Sequence, residues 1–149
     1  MAYPPLVSYG TAAEYRAHYE RVYCQGAVTT FDGIGVRFRK GLFDHCFYES
    51  TRRNQVKDKF SNQRAERIDW IKAALQDANA ELYVGWDGKR KRCDPSHRVA
   101  LVVGDYVVVI RLSGNQTAQF VTAYVADSAS TLAKIKGSPK WVPSKTKNR

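Results

Sequence analysis

The spacing of apolar residues changes along the chain, and the change divides it. Near the N-terminus, Tyr15, Tyr19 and Val22 recur at helical spacing. Thr11 with Glu14 three residues on is a capping-box pattern, so a helix is predicted from Ala12, ended by Gly26. Residues 27–40 read as extended. Residues 27–31 are β-branched and aromatic, Asp32-Gly33 is a turn signal, and residues 35–39 alternate apolar with cationic. Whether these two runs pair as a hairpin is left open by the pattern. Leu42, Phe43, Phe47 and Tyr48 then place apolar anchors around His45, and the polar run from Ser50 to Lys59 fits helix or loop equally. Ser61 is a plausible N-cap for a helix over residues 62–78, in which Ala65, Ile68, Ile71 and Leu75 share one face while Arg67 and Lys72 can point away.

From Glu81 the period shortens to that of strands. Residues 82–86 are short and aromatic. Residues 98–103 and 106–112 are valine-rich and separated by Gly104-Asp105, a two-residue hairpin signal. A second turn at residues 113–116 leads into a last strand over 119–125. Helices followed by an antiparallel meander of about four strands predict an α+β fold. Residues 1–11, with Pro4, Pro5 and Gly10, read as an irregular lead-in, 12–128 as one α+β domain, and 129–149 as a basic tail expected to be flexible.

Charge narrows the partners. The 149 residues carry 24 Lys+Arg against 14 Asp+Glu, a formal net charge of +10. A domain this basic points to a polyanion, because each phosphate it neutralises releases counterions. An anionic membrane surface is the competing partner. No run of about 18 apolar residues exists, so no transmembrane segment is expected. The first ten residues lack a cationic start and an apolar core, so no signal peptide is expected and the expected site of action is cytoplasmic. Delivery as the tail of a longer exported chain is equally compatible. Three cysteines without CxxC spacing predict neither a disulfide framework nor a zinc site.

The chain lacks HExxH, clustered carboxylates, Walker-type glycine loops and a GxSxG elbow, so no metal or cofactor is expected. His, Arg, Lys, Tyr and Thr remain, and these suffice for metal-free cleavage of RNA. That reaction needs a base for the 2′-OH, an acid for the leaving 5′-oxygen, and cations for the phosphorane. Among three histidines, His18 reads as structural or surface and His97 as a phosphate contact or nothing. His45, set between apolar pairs and ahead of dense cationic sequence, reads as either structural or acid–base. Arg64 and Arg67 lie one turn apart and could grip one phosphodiester together. Arg52 and Arg53 read as solvated charge. Residues 120–124 read either as a core strand or as a functional one, with Thr122 and Tyr124 on one face. The remaining candidates for substrate binding are the cations Lys57, Lys59, Lys89, Arg90, Arg92 and Arg111.

From Gly35 to about Ala126 the chain resembles the barnase/EndoU/colicin/RelE superfamily of metal-independent ribonucleases, in particular its phage and polymorphic-toxin members. The residues that carry the resemblance are Phe60, Arg64, Arg67, Ile68, Trp70 and Ile71 in FxxxR-xxRIxWI, the VVVI strand, and Phe120-Val121-Thr122-Ala123-Tyr124. The resemblance implies N-terminal helices packed on a curved antiparallel sheet whose concave face cuts RNA. It implies His45 as the acid–base residue, Arg64 and Arg67 as phosphate ligands, and Thr122 and Tyr124 as polar groups of the site. Many members carry a second histidine or a lysine; here Lys57, Lys59 or an arginine would fill that place. The implied partners are RNA, either tRNA or mRNA, and an acidic immunity protein or antitoxin. The alternative reading is a basic nucleic-acid-binding module without catalysis. A third is attachment to an acidic protein or anionic lipid through the tail.

Overall fold

The computed structural model describes residues 3–49, 59–87, 92–93, 98–114, 116–126 and 128–141. Chain order begins with α1 (Ala12–Tyr23), β1 (Val28–Thr29), β2 (Gly35–Arg37), α2 (Leu42–Phe47) and β3 (Tyr48–Glu49). It continues with β4 (Lys59–Phe60), α3 (Asn62–Ala65), α4 (Ile68–Leu75), β5 (Glu81–Val84), β6 (Trp86–Asp87) and β7 (Arg92–Cys93). It ends with β8 (Arg98–Val103), β9 (Tyr106–Leu112), β10 (Thr117–Val125) and α5 (Ala129–Lys136). The fold is α+β.

One sheet of six strands organises the molecule, in the order β1-β2-β10-β9-β8-β5. The predicted meander forms its centre, with Val103 paired to Tyr106 across a turn in which Gly104 takes φ +61°. The sheet is larger than the expected four strands, and it is mixed. β1 and β2 do pair as a hairpin, and β2 runs parallel to β10, pairing Val36 with Ala118. That pairing joins positions about eighty residues apart, beyond the reach of local alternation.

The helices α1, α2 and α4 cover one face of this sheet. Thr11 caps α1 as expected: its side chain accepts from the Glu14 amide, and Glu14 Oε1 accepts from the Thr11 amide at 3.1 Å. Tyr15, His18, Tyr19 and Tyr23 form its buried stripe. Tyr19 meets Tyr23, Phe38, Phe43 and Phe47, and Phe38 stacks on Phe120 of β10 at 4.6 Å between ring centres. Such ring pairs add about 0.5–1.5 kcal/mol each beyond burial. The lead-in has no regular structure, yet it is tied to α4. Trp70 Nε1 donates to the Pro4 carbonyl at 2.8 Å, and the Tyr3 hydroxyl donates to Asp77.

Three expectations are corrected here. The helix predicted over residues 62–78 is broken into α3 and α4. The Glu66 carbonyl accepts from the Val7 amide at 2.8 Å, and the Arg67 carbonyl accepts from the Trp70 amide and the Tyr106 hydroxyl. These partners end one helix and begin the next. The helices are also not all N-terminal, and the expected tail from residue 129 is partly built. Ser128 caps α5, Leu132 and Ile135 pack on the second face of the sheet, and Lys140 bridges to Tyr83 of β5. A Leu/Ile pair one turn apart gives this basic segment a narrow apolar stripe, which covers the valines and alanine of that sheet face. No helix among the described residues is long and apolar enough to cross a membrane.

Candidate active site

Pairing across the sheet sorts its residues into two faces, because directly opposed residues point the same way. Val99, Leu101, Val108 and Ile110 face the helical core. The outer face carries three rows. Arg98, Arg111, Gln119 and Arg37 are opposed across β8, β9, β10 and β2. Tyr83, Ala100, Val109 and Thr122 form the second row. Glu81, Val102, Val107 and Tyr124 form the third.

A bulge in β10 decides the membership of these rows. Phe120 opposes Ile110, while Thr122 opposes Val109, so Val121 is an extra residue. Without it, Phe120, Thr122 and Tyr124 would share the core face by simple alternation. With it, Phe120 and Ala123 are buried in the core, and Thr122 and Tyr124 stand together on the outer face. Phe120 thus packs in the main core, while Tyr124 packs, half-buried, against the smaller apolar cluster of the outer face.

Past Gln119, β10 loses β2 as a neighbour, and α2 and α3 take its place. The Cys46 thiol donates to the Ala123 carbonyl at 3.6 Å. Arg64, on α3, donates through Nη1 to the Cys46 carbonyl at 3.0 Å, and its guanidinium carbon stands 5.7 Å from the centre of the Tyr124 ring. His45 precedes Cys46 in α2 and is exposed. Elements α3 and β10 thus bring Arg64 and Tyr124 together at one edge of the sheet, α2 places Cys46, the residue after His45, against the same edge, and Tyr124 stands on the same face as Thr122.

Arg67 does not join them. Its Nη1 donates to the Gln63 carbonyl at 2.7 Å and to Glu66 Oε2 at 2.9 Å, and its guanidinium lies 5.2 Å over Trp70. The helix break turns the two arginines to different partners, so the expected pair does not close on one group. Lys59 is exposed in β4, and Arg111 is exposed on the outer face. The backbone of Arg92 lies in β7. Lys57, Lys89 and Arg90 lie outside the described residues, as do Arg52, Arg53 and His97.

His18 is buried and fully engaged. Its Nδ1 meets the Tyr9 hydroxyl at 2.8 Å and its Nε2 meets Asp69 at 2.7 Å, which ties α1 to the lead-in and to α4. Burial pushes the phenols of Tyr19, Tyr23 and Tyr106 well above their ordinary range, so they act as neutral hydrogen-bonding groups.

Between the outer face and α5 lies an open cavity of about 500 Å³. Arg98 and Lys134 supply its cations, and Thr122, Tyr124, Thr131 and Ser138 its hydroxyls. Arg98, Arg37 and Lys134 are cations on or over this face that lie outside the set expected from the sequence to bind substrate. For Arg98 the signal was present: counting back from the Gly104-Asp105 turn sets it opposite Arg111. Among the described residues no ion pair involves Arg37, Arg98 or Arg111, and no group of three or more His, Cys, Asp or Glu converges as metal ligands would. No family model matches the chain, and neither a curated protein nor a solved structure matches it.

Proposed function

We propose that the protein is a metal-independent endoribonuclease, with its site at the edge of β10. The observation that carries this reading is the meeting of Arg64 with Tyr124 and with the carbonyl of Cys46, next to His45. The reaction is transesterification. The RNA 2′-oxygen loses its proton and bonds to phosphorus, the bond to the 5′-oxygen breaks, and that oxygen takes up a proton. The products are a 2′,3′-cyclic phosphate and a 5′-hydroxyl. His45 moves a proton in this scheme, Arg64 neutralises the phosphorane, and the hydroxyls of Thr122 and Tyr124 orient the phosphate. Guanidinium stacked against a phenol is held in place while keeping N–H groups for a phosphate. The resemblance to the barnase/EndoU/colicin/RelE superfamily supports the same assignment, with tRNA or mRNA cut in the cytoplasm and an acidic immunity protein or antitoxin as partner.

Purified protein incubated with total RNA in EDTA tests the reading. Fragments ending in a cyclic phosphate are expected, and their absence overturns it. A second reading, a binding module without chemistry, is favoured by one observation: the arginines opposed on the outer face, which suit a phosphate backbone with or without cleavage. Under it RNA stays intact, and binding weakens steeply with salt.

A further inference from the structure

The cavity under α5 has a division of chemistry that the cleavage site does not need. Its floor is the second row of the outer face, where Ala100 and Val109 lie opposite one another and beside Thr122. These short side chains make a flat, largely apolar surface between strands. Ile135 of α5 closes it from above, and Val84 closes it at the β5 side. Cations stand at the rim, Arg98 from the sheet and exposed Lys134 from the helix, and among the described residues no carboxylate lines the space. At about 500 Å³ it has the size of a site for a small organic molecule.

Arg98 carries a cost that needs an explanation. It is directly opposed by Arg111, and like charges directly opposed destabilise a sheet. Gly85 draws a strand against it: a Cβ on Gly85 would stand 2.8 Å from the Cβ of Arg98, and the Gly85 amide donates to the Arg98 carbonyl at 3.0 Å. The backbone is therefore brought close beside a residue that the register sets opposite a second cation. An anion at the rim offsets that repulsion, and a planar apolar body fits the floor.

We propose that this cavity is a nucleotide pocket, which seats a base on Ala100 and Val109 and its phosphate between Arg98 and Lys134. The choice of a nucleotide over another amphipathic anion rests on the ribonuclease reading. Tyr124 lines the pocket and also meets Arg64, so a nucleotide held there adjoins the phosphate being cut. The pocket then sets base preference, while the edge of β10 does the chemistry.

Titration of the full chain with each of the four nucleoside 5′-monophosphates, by calorimetry and amide NMR, tests the proposal. At least one is expected to bind with a Kd of about 1 mM or tighter, shifting amides of β8 and α5. Lys134→Ala, at an exposed helical position, is expected to weaken it about tenfold, as loss of a charge-assisted contact does. Thr131→Trp, which fills the cavity from the helix side, is expected to abolish it. Absence of binding overturns the proposal, as does binding unchanged in both variants. Inorganic phosphate binding as tightly as every monophosphate overturns it as well, since the floor would then recognise nothing. Preference for an aromatic or aliphatic carboxylate over all four nucleotides would likewise refute it. Cleavage is scored separately. Binding without RNA cleavage leaves the pocket standing and removes the ribonuclease; cleavage without binding does the reverse.

Discussion

Tyr23 shows how one side chain can set the geometry of a helix far from it in sequence. Its hydroxyl donates to the Ile68 carbonyl at 2.5 Å and accepts from the Lys72 amide at 3.0 Å. Both groups belong to α4, so the phenol ties α1 to that helix. Tyr23→Phe keeps the ring packing and removes both hydrogen bonds to α4. A loss of about 1–3 kcal/mol is expected in urea unfolding, with the slope unchanged. His18 acts in the same way between Tyr9 and Asp69, and His18→Ala is expected to cost a similar amount, about 1–3 kcal/mol, with no direct effect on catalysis. Arg64 and Arg67 make the contrasting lesson. Their spacing is legible in the sequence, but their partners are not. Only the Val7 amide and the Tyr106 hydroxyl, both distant in sequence, explain the break that parts them.

Among the elements, α5 is the one whose attachment should respond to pH. Glu81 accepts from the Tyr83 hydroxyl and pairs with Lys136 at 3.8 Å, and both interactions hold its carboxyl below the usual glutamate range. Because the folded pKa is the lower one, this contribution is complete above the ordinary glutamate range and is lost as pH falls through the folded value. Hydrogen exchange at the α5 amides, corrected for intrinsic rates, should show local opening become easier on acidification. Glu81→Gln should flatten that response. The central hairpins were readable because valine runs and turn residues are local signals. The stripe of Leu132 and Ile135 was not, since two apolar residues in a basic segment gain meaning only when the sheet's second face is known to be uncovered. The bulge at Val121 is a second such case: an extra residue in a strand leaves no mark in the alternation before its partner strand is placed.

At the scale of the whole molecule, the sheet separates duties. One face and its aromatic helices hold the structure, and the other bears Arg37, Arg98 and Arg111 in one row. Binding of an uncleavable RNA, with the 2′-OH replaced, should therefore weaken linearly in log–log form as salt rises. Arg111→Ala should reduce that slope by about 0.7, the loss of one phosphate contact on a single strand. The α+β class and the positions of β8, β9 and β10 could be read from the chain alone. The joining of β2 to β10 could not, because a parallel pairing between distant segments has no local signature. The site inherits this division: Arg64 and Tyr124 could be named singly, but their meeting depends on β10 losing β2 where α2 and α3 begin.

The most direct measurement is single-turnover cleavage of a defined RNA oligonucleotide in EDTA, with circular dichroism confirming that each variant is folded. The wild-type protein should yield a 2′,3′-cyclic phosphate. His45→Ala and Arg64→Ala should each slow the reaction by about 100-fold or more, and Arg67→Ala by less than about tenfold. An intact oligonucleotide with the wild-type protein, or an undiminished rate with His45→Ala, would contradict the account.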